Sequence, residues 1–407
     1  MLVFHSAYTY DFIVTNGMEI FVQSRDASDF FSEVITVSPI ASLQYEDPVS
    51  FAKPKSFRLD DKNTIVEGGI ARFSWADKLP RLNFVMAQIS LILFLIKSGH
   101  LRNIDLIRAE DPRLNGIYGY FLARILRKPL IVGLWGNPKR IRDLSAKPVM
   151  PRLFRSTTTE ERLESFVLLS AAMVLSQNYE NLSYAMACGV PSNRTALTKL
   201  GVGLNKVHFL AENERMNVDA EFAEWGINDD LVFTCISRLE EIKMVDHAIK
   251  ACSIAKRAGI HFKLLLIGDG RQREYLANLA ARLDLVNEVV FTGNKSQEWI
   301  AGALCRADIN IAPLCGRSLL EASLSGTPSV AYDVDWHNEI VLPGRTGVLV
   351  ENLDYVALGQ SITILSKNVA QRLSFGIEIQ KIAREVANPV KIGNIQSYIY
   401  RNLVSKK

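Results

Sequence analysis

The sequence predicts an α/β protein built from two parallel-sheet domains of Rossmann type, facing one another across a cleft. Three observations carry this expectation. Short apolar runs alternate with helical segments along the chain. The alternation pauses in a loosely patterned passage around 200–226 and then restarts. The 407 residues exceed what one hydrophobic core usually serves. The expected domains are 1–210 and 211–387, followed by a helical tail over 388–407.

In the first domain, Leu2-Val3-Phe4 reads as a strand, followed by a polar loop to Gly17. Glu19 to Gln23 and Glu33 to Val37 read as further strands, while 38–77 is mixed and carries no clear pattern. Phe84 to Lys97 predicts a helix, Ile104 to Arg108 a strand, Leu114 to Arg127 a helix and Leu130 to Leu134 a strand. Glu160 to Ala172, Met173 to Leu175 and Tyr179 to Cys188 continue the alternation. Ligands in such sheets bind outside the carboxyl ends of the strands. That rule singles out the loop from Tyr8 to Gly17, Glu110-Asp111 and Trp135-Gly136-Asn137.

The second domain predicts strands at Leu231–Ile236, Lys263–Ile267, Val289–Phe291, Asp308–Ala312, Ser329–Ala331 and Leu349-Val350. Helices are expected at Val245–Ala258, Gln272–Leu283, Gln297–Arg306 and Leu319–Leu324, and the chain from Tyr355 onward reads as mostly helical.

Composition is that of an ordinary soluble chain, and a net charge of +4 is too small to imply nucleic acid. Basic residues nevertheless concentrate between Arg113 and Arg155, where ten of them face the single acid Asp143. Such a stretch suits an anionic membrane surface or an anionic acceptor, or else a solvated face balanced by acids elsewhere. The cysteines Cys188, Cys235, Cys252, Cys305 and Cys315 form no CxxC pair, and the histidines show no metal-ligand spacing. Met1-Leu2-Val3-Phe4 lacks a basic leader and a cleavage site, so the expected location is cytoplasmic, with the inner face of a membrane as its extension. The apolar run Leu82–Ile96 is short for a bilayer span and is expected to be a buried helix.

The stretch from Gly316 to Glu339 organises the second domain. Gly316-Arg317-Ser318 forms a small polar turn opening a short helix that contains Glu321. Backbone N–H groups at such a turn suit an anion. A carboxylate inside it suits the hydroxyls of a ribose better than phosphate, although an ordinary helix cap has the same composition. Arg238 offers a planar fork and Lys243 a compact charge after the first strand of the domain. Gly268 and Gly270 form a glycine turn after the second. Asp333-Val334-Asp335 follows a strand and is assigned no metal, and Trp336 and His337 either line the cleft or pack in the core.

With Ser237-Arg238-Leu239, Lys243, Ile267-Gly268-Asp269-Gly270, Val290-Phe291-Thr292-Gly293, Ala307 to Pro313, Glu321-Ala322, Gly326-Thr327-Pro328, Glu339 and Gly344-Arg345-Thr346-Gly347, the chain resembles the retaining, nucleotide-sugar-dependent glycosyltransferases of family 4, which have the GT-B fold. The first domain resembles them through Asp105 to Pro112 and Gly201-Val202-Gly203. The resemblance implies that Arg238 and Lys243 clamp the donor diphosphate and that Glu321 holds the nucleotide ribose. It implies that the amides of Gly316, Arg317, Ser318 and Leu319 face the phosphates or the sugar, and that the tail returns to the first domain. It implies a nucleotide-sugar donor, a glycan or lipid-linked acceptor, and no cofactor or metal.

Two features depart from the family's pattern. The position of its first glutamate falls on Pro313, and either Cys315 or Arg317 stands in its place. The loop that usually holds a histidine has Trp135-Gly136-Asn137, leaving Glu110, Asp111 or Asn137 as substitutes. A catalytically weak or inactive subunit scaffolding glycan assembly, and a sugar-nucleotide epimerase or hydrolase, are the alternative readings.

Overall fold

The computed structural model describes residues 1–5, 8–15, 17–26, 28–44, 53–151, 154–198, 204–228 and 230–405. Residues 201–203, part of the family resemblance, lie outside the described residues. The chain divides into two compact units, Met1–Gly203 with Pro389–Lys407, and Leu204–Asn388. The second unit therefore begins before the expected residue 211. Its opening turn Lys206–Phe209 packs against the helix Gln297–Cys305, with Val207 and His208 buried.

The first unit is built on an eight-stranded sheet. Its strands are β1 (Leu2–Phe4), β2 (Val34–Ser38), β3 (Lys55–Arg58), β4 (Asn63–Glu67), β5 (Ile107–Ala109), β6 (Leu130–Leu134), β7 (Met173–Ser176) and β8 (Thr195–Leu197). The order is β3-β4-β2-β1-β5-β6-β7-β8. All neighbours are parallel except the edge pair β3–β4, so this sheet is mixed, not purely parallel as expected. Helices α1 (Tyr10–Thr15), α2 (Glu19–Gln23), α3 (Pro80–Lys97), α4 (Leu114–Leu126), α5 (Pro138–Ser145), α6 (Thr157–Ser170) and α7 (Tyr179–Ala187) connect the strands. Glu19–Gln23 is thus a helix and not the strand its β-branched residues suggest. The segment packs as a helix that buries Val22 beside Ile13 and Ile65, a tertiary contact that overrides its strand propensity.

Helix α3 reverses another expectation. Only its inner face, at Asn83, Ala87, Leu91 and Leu95, is buried; Leu82, Val85, Ile89, Leu93 and Ile96 are about half exposed.

Four of the ten basic residues in the stretch 113–155 meet acids within the fold. Arg113 pairs with Glu164 (3.0 Å), Lys128 with Asp105 (3.6 Å) and Arg140 with Glu180 (3.6 Å). Arg142 is buried and meets Glu160, Glu161 and Glu164 at 3.2, 3.2 and 2.8 Å. These contacts make part of the stretch internal architecture in place of an open cationic surface.

The second unit holds a six-stranded, wholly parallel sheet of β9 (Leu231–Ile236), β10 (Phe262–Ile267), β11 (Val289–Gly293), β12 (Ile309–Ala312), β13 (Ser329–Tyr332) and β14 (Gly347–Val350). The order β11-β10-β9-β12-β13-β14 is the 3-2-1-4-5-6 pattern of a doubly wound sheet. Helices α8 (Asp219–Glu224), α9 (Val245–Arg257), α10 (Arg273–Arg282), α11 (Gln297–Cys305), α12 (Ser318–Leu324), α13 (Tyr355–Lys367) and α14 (Val369–Val386) complete it. A buried polar row crosses the sheet centre: Thr234 Oγ1 donates to Asn310 Oδ1 (3.4 Å), and Asn310 Nδ2 donates to Ser329 Oγ (3.1 Å).

The last helix, α15 (Pro389–Val404), belongs to the first unit. Its Tyr400 is fully buried, accepts from Arg108 Nη1 at 2.9 Å and donates to the Arg25 carbonyl. Arg108 in β5 and Arg25 both reach Glu110 Oε1, at 2.8 and 3.3 Å. His5, at the end of β1, stacks on Tyr8 with centroids 5.1 Å apart. Burial, then the two nearby guanidiniums, hold its pKa well below the ordinary 6.5.

Two outcomes are expected. Tyr400→Phe leaves a buried guanidinium N–H without its acceptor, so urea unfolding of the variant should show a loss of about 1–3 kcal/mol. Because His5 takes a proton more readily in the unfolded chain, its contribution is complete above pH 6.5 and is lost as pH falls below it. Wild-type stability should decline there by up to about 1.4 kcal/mol per pH unit from this group. His5→Phe should remove that increment from the slope of the urea midpoint against pH.

Candidate functional site

In a 3-2-1-4-5-6 sheet the first and fourth strands lead their loops away in opposite directions, opening a crevice at their carboxyl ends. In the second unit these strands are β9 and β12. The loop after β9 carries Ser237 and Arg238; the loop after β12 runs through Cys315 and Gly316 into α12. Ser318 Oγ donates to the Ile236 carbonyl at 2.8 Å and ties the two loops together. Arg238 is exposed and Lys243 is half-buried. Burial pulls the Lys243 ammonium below its ordinary value and Arg238 adds to this, while Cys315 and Asp335 lie close enough to oppose it. Glu321 is 7% exposed and lies near the Cys315 thiol. The structure therefore gathers Arg238, Lys243, Ser318 and Glu321, which are spread over more than eighty positions in sequence.

Other candidates have structural tasks. A Cβ at Gly268 would stand 2.1 Å from the Ser237 carbonyl oxygen, and one at Gly270 2.4 Å from that of Leu239. These glycines let the β9 loop pack closely on the β10 loop, where a side chain would collide with backbone. Leu319 is fully buried, and its amide bonds the Gly316 carbonyl at 3.3 Å. The amides of Leu320 and Glu321 likewise return to Arg317. This leaves the turn at Gly316, Arg317 and Ser318, not the interior of α12, as the part that faces outward.

Cys315 is buried, with its thiol pushed up to about 11, chiefly by burial. It lies close to Lys243, Ser318 and Glu321. Trp336 and His337 are core residues at 4% and 0% exposure. His337 Nδ1 bonds the Tyr332 carbonyl (2.9 Å), while Nε2 lies 3.4 Å from the Cys315 carbonyl. His337 thus braces the Cys315 loop from behind. The Gly344–Gly347 turn is held by Thr346, whose Oγ1 donates to Ile340 and accepts from Leu342.

In the first unit the corresponding divergence lies between β1 and β5. Glu110 is engaged by Arg25, Arg108 and the Trp135 indole N–H. Asn137 caps α5, accepting from Lys139 N at 3.0 Å, and donates to Glu180 at 2.7 Å. Asp111 accepts from Arg113 N at 2.7 Å and from the Asn115 amide, and burial raises its pKa. Glu110, Asp111, Pro112, Trp135, Pro138 and Ile141 line a cavity of about 250 Å³. Glu110 in the cavity wall is thus ion-paired with two arginines, and Asn137 caps the helix whose Pro138 and Ile141 join the lining. Sequence reading passed over His5, Arg25 and Arg108 as site-shaping residues. The one available signal was that His5 directly follows the first strand.

Residues 217–381 match the family model of glycosyl transferases group 1. Among relatives, an alpha-D-kanosaminyltransferase of Streptomyces kanamyceticus is 25% identical over 57% of this chain and 60% of its own length. A GDP-mannose-dependent alpha-(1-6)-phosphatidylinositol monomannoside mannosyltransferase of Mycolicibacterium smegmatis is 29% identical over 38% of this chain and 43% of its own. The chain thus spans less than two thirds of the length of either relative. Among solved structures, HepE of Anabaena in complex with UDP aligns with TM-score 0.69 and 17% identity, covering 99% of this chain and 100% of that one. A sucrose-phosphate synthase of Thermosynechococcus elongatus aligns with TM-score 0.75 and 16% identity over the whole of both chains. The fold is GT-B, and residues 217–381, which include the β9–β12 loops, match the glycosyl transferases group 1 model.

Proposed function

We propose that this chain is a retaining glycosyltransferase of family 4. It moves a sugar from a nucleoside diphosphate donor to an acceptor hydroxyl in the synthesis of a cell-surface glycan or polysaccharide. The observation that carries the reading is the meeting of Arg238, Lys243 and Glu321 at the tied β9 and β12 loops, inside the group 1 module. UDP in the structurally similar HepE and a GDP-sugar in the name of the mannosyltransferase relative support a nucleotide-sugar donor.

The chemistry follows from charge. The diphosphate leaves as an anion, so groups that bind it more tightly as charge develops lower the barrier. Arg238 presents two parallel N–H donors to its oxygens, and Lys243 a point charge. Lys243 has lost hydration by burial, and an incoming diphosphate restores the preference for its charged form. With these cations neutralising the leaving group, the reaction as proposed needs no metal or cofactor. Glu321, close to the fold's interior, accepts hydrogen bonds from the ribose hydroxyls. Cys315 stays protonated near neutral pH and adds no negative charge beside the donor sugar. The acceptor is a glycan or a lipid-linked glycan, and the cysteines, free among the described residues, fit a reducing cytoplasmic setting.

A non-catalytic scaffolding subunit is the second reading. It is favoured by one observation: Glu110 and Asn137 are committed to ion pairs and a helix cap.

Thermal unfolding with UDP-, GDP-, ADP-, dTDP- and CMP-sugars tests the donor site. One nucleotide should stabilise the protein, by about 2.7 kcal/mol at a hundred times its dissociation constant. Arg238→Ala and Lys243→Ala should each weaken that donor by about ten- to a hundred-fold, as expected for loss of a charge-assisted contact. Stabilisation by none of the panel would remove the reading. With the donor base identified, Glu321→Gln should weaken the intact nucleotide and leave affinity for inorganic diphosphate unchanged. NMR of the product should give the donor's own anomeric configuration; inversion would overturn retention, and donor binding without turnover would select the scaffold.

A further inference from the structure

Soluble proteins usually turn the apolar side of a surface helix inward and leave its polar residues in water. Helix α3 departs from this: apolar residues lie on both its buried and its exposed sides. Its uncharged polar side chains are used inside the protein. Asn83 Oδ1 accepts from the amides of Arg72 and Phe73 at 2.8 and 3.0 Å, and its Nδ2 donates to the Phe73 carbonyl at 2.9 Å. Gln88 donates to the Gly69 carbonyl at 2.9 Å and accepts from the Tyr118 hydroxyl. Ser90 Oγ accepts from Arg72 Nε at 3.2 Å. What remains outside is an apolar stripe at helical spacing: Leu82, Val85, Ile89, Leu93 and Ile96, each 46–54% exposed. Trp75, just upstream, is 68% exposed.

The stripe continues onto the neighbouring helices. The Gln88–Tyr118 bond joins α3 to α4, and Tyr120 meets Phe166 edge-on at 4.9 Å, joining α4 to α6. Leu91, Leu122 and Val167 from the three helices enter one core, so all three lie on the same side of the sheet. Phe121 and Ile125 on α4 and Phe166 on α6 are 58%, 72% and 48% exposed.

Charge identifies the occupant. Helices α3 and α4 contain no Asp or Glu, while Arg81, Lys97 and Arg124 on them are exposed, with Lys78 and Arg127 just beyond their ends. Glu160 and Glu164 of α6 are turned inward onto Arg142, the exposed Glu161 also pairs with Arg142, and Asp105 pairs with Lys128; Asp77 is a further exposed acid at the margin. An apolar strip bordered by cations, with an exposed tryptophan at one end, complements a bilayer with anionic headgroups. Two copies of the face would oppose like charges. The helix has length and hydropathy enough to cross a membrane. Its inner face, however, is packed on the sheet, so it meets lipid from the side.

We propose that the outer face of α3, continued by α4 and α6, docks this protein in the plane of an anionic lipid membrane. The proposal does not depend on the transferase reading. The test is flotation of the full chain with phosphatidylcholine vesicles, with and without phosphatidylglycerol. Binding should require phosphatidylglycerol and weaken as salt rises. Val85→Gln/Ile89→Gln/Leu93→Gln and Arg81→Gln/Lys97→Gln/Arg124→Gln should each weaken it at least about ten-fold, or about 1.4 kcal/mol. Both variants change exposed side chains, so their melting temperature and nucleotide response should match wild type. Absence of flotation, equal binding to neutral vesicles, or wild-type binding by the glutamine variants would overturn the proposal. A dimer seen by sedimentation and abolished by the apolar variant, without flotation, would assign the face to a second copy instead.

Discussion

The hydrogen bond from Ser318 Oγ to the Ile236 carbonyl closes the point at which the second unit's topology opens. In a doubly wound sheet the connections after the first and fourth strands depart to opposite faces, leaving carbonyls and side chains at the parting without neighbours in the sheet. Here the parting is bridged by one hydroxyl, and the side chains that matter are arranged around that bridge. Arg238 and Lys243 come from the β9 side; Cys315 and Glu321 come from the β12 side. Behind them, His337 holds the Cys315 loop, and the Thr234–Asn310–Ser329 row fixes the strands in register. A hydrogen-bonded polar row in a core is specific, because any slip of one strand would leave its members unsatisfied.

The first unit solves a different electrostatic problem. Arg25, Arg108 and Arg142 are all nearly inaccessible to solvent. Each must meet a carboxylate or a carbonyl, since an unpaired buried charge is far costlier than a paired one. Glu110, Glu160 and Glu164 answer that need. The consequence reaches the candidate site: a carboxylate at the end of β5, where chemistry would be sought, is absorbed into an ion cluster that the hydroxyl of Tyr400 completes from the last helix. Burial, reinforced by Arg25 and Arg108 of the same cluster, disfavours the charged form of His5. The cavity beside it has Asp111 and Trp135 in its wall, and its polarity is set by groups already engaged with the protein.

Helix α3 illustrates why composition and burial need not agree. Its apolar content predicts a core helix, yet one side of a helix resting on a sheet always faces away from it. The residues Leu82, Val85, Ile89, Leu93 and Ile96 on that side stay about half exposed, and the uncharged polar residues are drawn inward by backbone groups that would otherwise lack partners. Satisfying buried donors and acceptors outweighs the placement of leucine and isoleucine in water.

Much of the architecture was legible in sequence because it rests on local pattern. Strand and helix periodicity is short-range, so the alternation, most element positions and the order of marks from Arg238 to Thr346 could be read directly. The second unit was the clearer of the two, since its marks follow its strands. Glu19–Gln23 failed because strand propensity is overridden where tertiary packing places the segment against Ile13 and Ile65 instead of in the sheet. Gly268 and Gly270 stand out in the sequence as a turn, but how close the Ser237–Leu239 backbone comes to them is something no spacing reveals. Likewise Glu110 and Asn137 have the right chemistry at the right strand ends. Only the folded chain brings two arginines to the one and the amides of α5 to the other. Sequence by itself determined the element types and the inventory of charged groups. Tertiary structure decided which of those groups remain available, because availability is set by long-range partners and by burial.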